Sequence, residues 1–151
     1  MGKRIAAGLA GGVFAGTLDI FVAMALSGAS AEAVFRFLAA GVVGRDAAMD
    51  SGWHMPALGF ALQEFISIVA ALVYVFASTR LPILLKRPIP CGIAYGAVVN
   101  VVLTFVVQPL SLVARIHPLN VTPWLENLGA NMSLFGPPIA LIAAWMLRPR
   151  A

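Results

Sequence analysis

The chain has 151 residues, 61% of them hydrophobic and 11% charged, with a formal net charge of +4 and a mean hydropathy of +0.95. An ordinary soluble domain carries roughly 25% charged residues, so this composition excludes a water-soluble fold and points to an all-α membrane protein. The length leaves room for one domain, residues 1–151, most of it used by spans of about 20 residues each.

Ten Lys and Arg against six Asp and Glu would suggest nucleic acid in a soluble protein. Here the basic residues stand in short clusters at the ends of apolar runs. They read as membrane anchors, and the expected partner is the lipid bilayer, with no nucleic acid. The single cysteine, Cys91, excludes an intramolecular disulfide and leaves no thiolate set for a metal.

The first apolar run covers residues 5–27. Lys3 and Arg4 precede it and Ala29-Ser30-Ala31 resembles a cleavage site, as in a signal peptide. The run exceeds the hydrophobic region of about 7–15 residues that such a leader carries, and it contains Asp19, so it reads as a first span. Gly8, Gly12 and Gly16 recur every four residues on it, and Asp19, Ala23 and Ser27 continue that face. Small residues in this register let helix backbones approach closely.

The next segment predicts a short amphipathic helix lying at the membrane surface. Ser30 is its N-cap, Glu32 and Arg36 form an i,i+4 pair, and Val34, Phe35, Leu38 and Val42 make an apolar stripe. Gly41 and Gly44 are expected to stop it, leaving 45–54 as polar loop. The second span is read at 57–78 and carries Gln63 and Glu64. Prolines 82, 88 and 90 then mark a basic loop over 80–90.

A third span follows at 91–112, where Gly92, Gly96, Asn100, Thr104 and Gln108 repeat the four-residue stripe. Residues 113–124, with Pro118 and Pro123, read as loop. The fourth span begins at about residue 125 and runs to 147. Asn131 lies in its first half, and Gly136-Pro137-Pro138 interrupts its centre, where the prolines leave the carbonyls of Ser133 and Leu134 without helical donors. Such a break marks either a transporter site or a kink repaired by neighbours.

Orientation follows from the basic residues. Lys3, Arg4, Arg80, Lys86, Arg87, Arg148 and Arg150 fall on one side, and Arg36, Arg45 and Arg115 on the other. The positive-inside rule places the first side, and with it both termini, in the cytoplasm. Glu32, Asp46, Asp50 and Glu126 fall outside, as do Trp53 and Trp124, which suit an interfacial belt. Aligning 8–27 with 92–111 pairs Gly8 with Gly92, Gly12 with Gly96 and Ser27 with Ser111, while Leu58-Gly59 pairs with Leu128-Gly129. This is the pattern of a tandem helical-hairpin repeat about an axis along the membrane normal; chance likeness between apolar helices gives the same matches.

Asp19 is the most informative residue. A carboxylate within a span costs about 2.5–3.5 kcal/mol on insertion scales, so it should face the bundle or water and find a partner. At about 1.5 Å per residue, Asp19 lies about 12 Å and Glu64 about 10 Å from the outer boundary, and Glu64 is its expected neighbour. Gln63, Asn100, Gln108 and Asn131 join them in a cluster of acids and amides. Such a cluster could bind a cation, pass protons or hold a polar solute, and it would equally serve as a hydrogen-bonded network that fixes helix register.

His54 and His117 stand in outer loops without a partner at ligand spacing, and no phosphate loop, HExxH or nucleophile elbow is present. Neither a metal, a cofactor nor an enzymatic activity is expected.

Over nearly the whole chain, the runs Ala7-Gly-Leu-Ala-Gly-Gly-Val-Phe-Ala-Gly-Thr-Leu-Asp19, Phe37-Leu-Ala-Ala-Gly-Val-Val-Gly44, Cys91-Gly-Ile-Ala-Tyr-Gly96, Gln108-Pro-Leu-Ser111 and Gly136-Pro-Pro-Ile-Ala140 resemble a broad group of short four-span bacterial inner-membrane proteins, the hypothetical membrane protein family. The resemblance implies a multi-pass bacterial inner (plasma) membrane location and no particular activity. Members of that group often carry histidine where Gln63 and Asn131 stand and an apolar residue at Glu64, which puts a shared ion-binding role for spans two and four in doubt. Two functions fit: a small transporter or channel-like protein, as a homodimer in one form, with Asp19 and Glu64 at its site; or a non-catalytic membrane subunit or assembly factor. The second would pack against another membrane protein through its glycine faces.

Overall fold

A computed structural model of the chain describes residues 1–49, 52–112 and 120–148. Within them the protein is helical: α1 (Gly2–Ser27), α2 (Ala31–Val43), α3 (Arg45–Met49), α4 (His54–Arg80), α5 (Ile83–Lys86), α6 (Pro88–Leu110) and α7 (Val121–Leu147). Helices α1, α4, α6 and α7, at 26, 27, 23 and 27 residues, are each long and apolar enough to cross a bilayer. Asp50, Arg115, His117 and Arg150 lie outside the described residues.

The bundle is held by two antiparallel seams in which backbone meets backbone. On α1, a Cβ added at Gly12 would lie 2.5 Å from the Ile68 Cα of α4, and one at Gly16 would lie 2.8 Å from Ser67 Oγ, while Gly8 abuts Leu72. On α6, a Cβ at Gly92 would lie 2.7 Å from the Pro137 Cα, and one at Gly96 would lie 2.9 Å from the Met132 Cα. Gly136 of α7 faces the same seam. α1 also packs on α7, so the two hairpins form one bundle.

Its interior is built of small side chains, Ala7, Ala15, Ala71, Ala140 and Ala143 among them, around Tyr74 and Ile139. The Tyr74 hydroxyl donates to Leu84 O at 2.9 Å and the Tyr95 hydroxyl to Ala70 O at 2.6 Å, so each buried phenol is satisfied. Large apolar side chains point outward instead, with Phe21, Phe65 and Trp145 more than half exposed, while Gln63, Ser67, Asn100 and Asn131 are buried. This inverted distribution is what a hydrocarbon solvent selects.

Several expected boundaries differ. Within the loop expected at 45–54, residues 45–49 form α3 and His54 opens α4. Arg36 reaches across from α2: its guanidinium donates to Glu32 Oε1 at 3.0 Å, to Ala48 O at 3.0 Å and to Gly52 O at 3.3 Å. The basic loop contains α5, and Pro88 opens α6 at a position where its missing N–H costs nothing. Val121 is already helical because the Asn120 side chain accepts from Thr122 N.

α2 starts at its Ser30 cap, whose Oγ accepts from Ala33 N. It runs through Gly41 and stops only at Gly44, where φ is +87°. Its buried residues are Ala39 and Ala40, not the Val34 and Val42 of the expected stripe. The Phe35 ring meets Phe60 edge-on at 5.6 Å, and the Phe35 carbonyl sits against Gly59. Gly129, the residue aligned with Gly59 in the repeat reading, faces open space.

The centre of α7 is continuous rather than broken. A wide π-helical turn, Asn131–Phe135, precedes Gly136-Pro137-Pro138, and a second, Leu103–Val107, precedes Gln108-Pro109 in α6. Each proline lacks the donor that an α-turn would require, and the wider turn absorbs that defect without breaking the helix.

The seams generate a graded expectation. Gly12→Ala and Gly96→Ala should each lower stability by about 1–3 kcal/mol through overpacking, whereas Gly129→Ala should be neutral or gain up to about 1 kcal/mol of helix propensity. Thermal unfolding in detergent micelles reads the order, and equal tolerance at all three positions would contradict the seams.

Candidate functional site

Beyond the glycine seams, towards the end of the bundle that bears α2, the helices line an open-sided cavity of about 610 Å³. Its wall is assembled from five elements. α1 contributes Asp19; α4 contributes Gln63 and Ser67 one turn apart; α2 lays Phe37, Leu38, Gly41 and Val42 across it. From α6 come Asn100, Thr104 and Gln108, and from α7 Asn127, Asn131, Trp124 and Phe135, with Asn120 just before that helix.

The α6 stripe reaches the cavity because of its π turn. On a helix of about 3.6 residues per turn, side chains four apart drift by about 40° at each step, so Asn100, Thr104 and Gln108 would fan across about 80°. The wider turn at Leu103–Val107 winds some of that drift back. Asn131 and Phe135 border the cavity at the two ends of the π turn in α7.

Asp19 is held by one side chain. Gln63 Nε2 donates to Asp19 Oδ2 at 2.8 Å, a pairing across the α1–α4 interface. Asn131 Nδ2 donates back to Asn127 O at 3.0 Å within its own helix. Three polar atoms on cavity residues are buried yet have no hydrogen-bond partner among the described residues: Ser67 Oγ, Asn100 Oδ1 and Trp124 Nε1. Ser67 Oγ can donate or accept, Asn100 Oδ1 accepts only and Trp124 Nε1 donates only. All three atoms are closed off from water, and Ser67 Oγ lies against Gly16 in the α1–α4 seam, so they belong to the packing behind the wall rather than to its open surface.

The structure thus brings together Asp19, Gln63, Asn100, Gln108 and Asn131 around one space and leaves Glu64 out of it. Adjacent residues on a helix point about 100° apart, so only one of Gln63 and Glu64 can face Asp19, and it is Gln63. Glu64 turns into the α1–α4 seam, where its Oε1 would lie 3.2 Å from a Cβ on Gly16 and neither carboxylate oxygen has a hydrogen-bond partner. The Thr17 side chain of α1 stands beside that carboxylate without meeting hydrogen-bond geometry.

Ser67, Asn120, Asn127 and Trp124 were not anticipated as lining residues. Trp124, expected in an interfacial belt, meets Phe105 edge-on at 6.3 Å and borders the cavity. The recurrence 120, 124, 127, 131 was the available signal, and it was masked by reading residues up to 124 as loop. Among the described residues, no three His, Cys, Asp or Glu side chains come together as a metal site.

The different settings of the neighbours Gln63 and Glu64 predict opposite responses. Glu64→Met keeps an unbranched chain of similar length and removes a carboxylate that has no well-formed hydrogen bond among the described residues and only Thr17 beside it, so it should raise stability by about 1–3 kcal/mol. Gln63→Leu strips Asp19 of its donor and should cost about 2 kcal/mol. The check is again melting in micelles; destabilisation by Glu64→Met would show that its carboxylate has a structural partner.

No protein-family model, curated protein or solved structure matches the chain.

Proposed function

We propose that the chain is a small transporter or channel-like protein of a bacterial inner membrane, and that the cavity beside Asp19 is where it takes up its solute. The observation that carries this reading is the cavity wall itself, an intramembrane carboxylate with amides and hydroxyls arranged around about 610 Å³. A protein that used its polar residues only as glue between helices would pair them with one another and leave the contact dry.

The competing role, a subunit that docks on a partner through glycine faces, has less to stand on. Gly8, Gly12, Gly16, Gly92 and Gly96 all face helices of the same chain, which leaves none of these ladders free for another protein.

Both termini are assigned to the cytoplasm. Lys3 and Arg4 start α1, Arg80 ends α4, and Arg148 follows α7 and donates from Nε to Leu85 O at 2.7 Å, capping the carbonyls at the end of α5. These cations stand at one end of the bundle, Arg36 and Arg45 at the other, and the positive-inside rule supports the orientation. The cavity then lies in the outer half.

Two outcomes are expected. In a Cys91→Ala background, a cysteine at Asp46 should react with a membrane-impermeant maleimide in intact cells, and one at Lys3 only after permeabilisation; the reverse pattern inverts the topology. In liposomes carrying gradients of protons or of inorganic and organic cations, the native protein should give a flux that Asp19→Asn abolishes at unchanged melting temperature. Absence of flux for every ion with native protein would remove the transport reading.

A further inference from the structure

We propose that the solute of this cavity is a small organic cation, an alkylammonium compound with an additional hydrogen-bonding group, held by Asp19. The inference rests on the reading of the cavity as a solute site and adds the chemical class.

Charge decides the sign. Among the described residues that line the cavity, Asp19 is the one ionisable side chain, and Lys, Arg and His are missing from that wall. Gln63 gives Asp19 a hydrogen bond through Oδ2 but no neutralising charge. A buried carboxylate is stabilised chiefly by an opposite charge, and a solute is the available source of one. An anionic or zwitterionic solute would bring a carboxylate or phosphate beside Asp19, against a wall whose described residues offer it no cation.

Size and wall chemistry decide between a bare ion and an organic one. At about 30 Å³ per water, the space equals that of about twenty waters, far more than a partly dehydrated metal ion fills. Calcium and magnesium need several oxygens in one tight shell, commonly from more than one carboxylate. Here the described residues of the wall supply one carboxylate, Asp19, and otherwise neutral amides and hydroxyls spread over α4, α6 and α7, Gln63, Thr104, Gln108 and Asn131 among them. An ammonium group with several N–H donors can reach such dispersed acceptors.

The aromatic rings of Phe37, Trp124 and Phe135 also border the cavity. They suit a hydrocarbon chain and attract an ammonium charge to their faces. The amides and hydroxyls of Gln63, Thr104, Gln108 and Asn131 on the same wall suit the second hydrogen-bonding group, since each offers a donor or an acceptor.

The test uses the whole protein in neutral detergent with Trp53→Phe and Trp145→Phe, so that Trp124 is the sole indole reporter. Ethanolamine, choline, butylammonium, sodium, potassium, butyrate and propionamide are titrated, and Trp124 fluorescence is followed alongside calorimetry. Saturable binding of ethanolamine or another of the three amines, weakened about tenfold or more by Asp19→Asn, is the expected result. Where that variant does not fold, Gln108→Lys takes its place: it adds a cation to the wall, and should abolish amine binding while admitting butyrate.

Binding confined to sodium or potassium, to butyrate, or to propionamide would overturn the organic-cation assignment and leave the solute cavity standing. Amine binding of equal strength in Asp19→Asn would do the same. Failure of every probe to bind the folded protein would overturn both.

Discussion

Backbone contact at glycine organises this bundle. Hydrocarbon provides no hydrophobic force to drive helices together, so they associate by van der Waals packing and interhelical hydrogen bonds, and both demand close approach. Gly8, Gly12 and Gly16 bring α1 onto α4, while Gly92, Gly96 and Gly136 bring α6 onto α7. On both leading helices the glycine ladder then gives way to a polar residue of greater volume, Asp19 on α1 and Asn100 on α6. The helices meet where the ladder is small and line an open-sided cavity where it is not. One stripe on each helix therefore sets both the tight end and the open end.

Much of this was legible in the sequence because the physical signals were long and periodic. Four apolar runs, a Ser30 cap with its Glu32–Arg36 pair, and two four-residue glycine ladders each declare one structure. What was not legible depended on side chains reaching across elements. Nothing local to 45–49 indicates helix, and the guanidinium of Arg36 reaches Ala48 O and Gly52 O from another element. Depth along a span could be counted from the sequence, which placed Asp19 near both Gln63 and Glu64. Rotation about the α4 axis could not, and rotation decides that Gln63 takes the contact.

Proline in α6 and α7 acts in a similarly indirect way. Read locally, Pro137 and Pro138 end a helix. With neighbours packed on both sides, the chain instead widens for one turn and continues. The consequence reaches the cavity, since residues 103, 104 and 107 of one π turn and 131 and 135 of the other all border it. The same residues that look like defects in helical sequence thereby turn polar side chains towards a common space.

Asp19 is a costly residue for a bundle held together by packing alone. Placing a carboxylate within a span costs about 2.5–3.5 kcal/mol, and a hydrogen bond to a charged group returns about 1.5–3 kcal/mol. The Gln63 bond thus offsets the cost at best, and contributes no net stability that an apolar pair of residues would not exceed. Asn100 Oδ1, Ser67 Oγ and Trp124 Nε1 are further desolvated groups without partners among the described residues, each a cost of about 1–3 kcal/mol. Leucine and alanine at these positions would avoid that cost. The cavity beside Asp19 works in the other direction, because the part of the carboxylate that borders it keeps a polar filling within reach, and a carboxylate that retains such a contact loses less than one sealed in hydrocarbon.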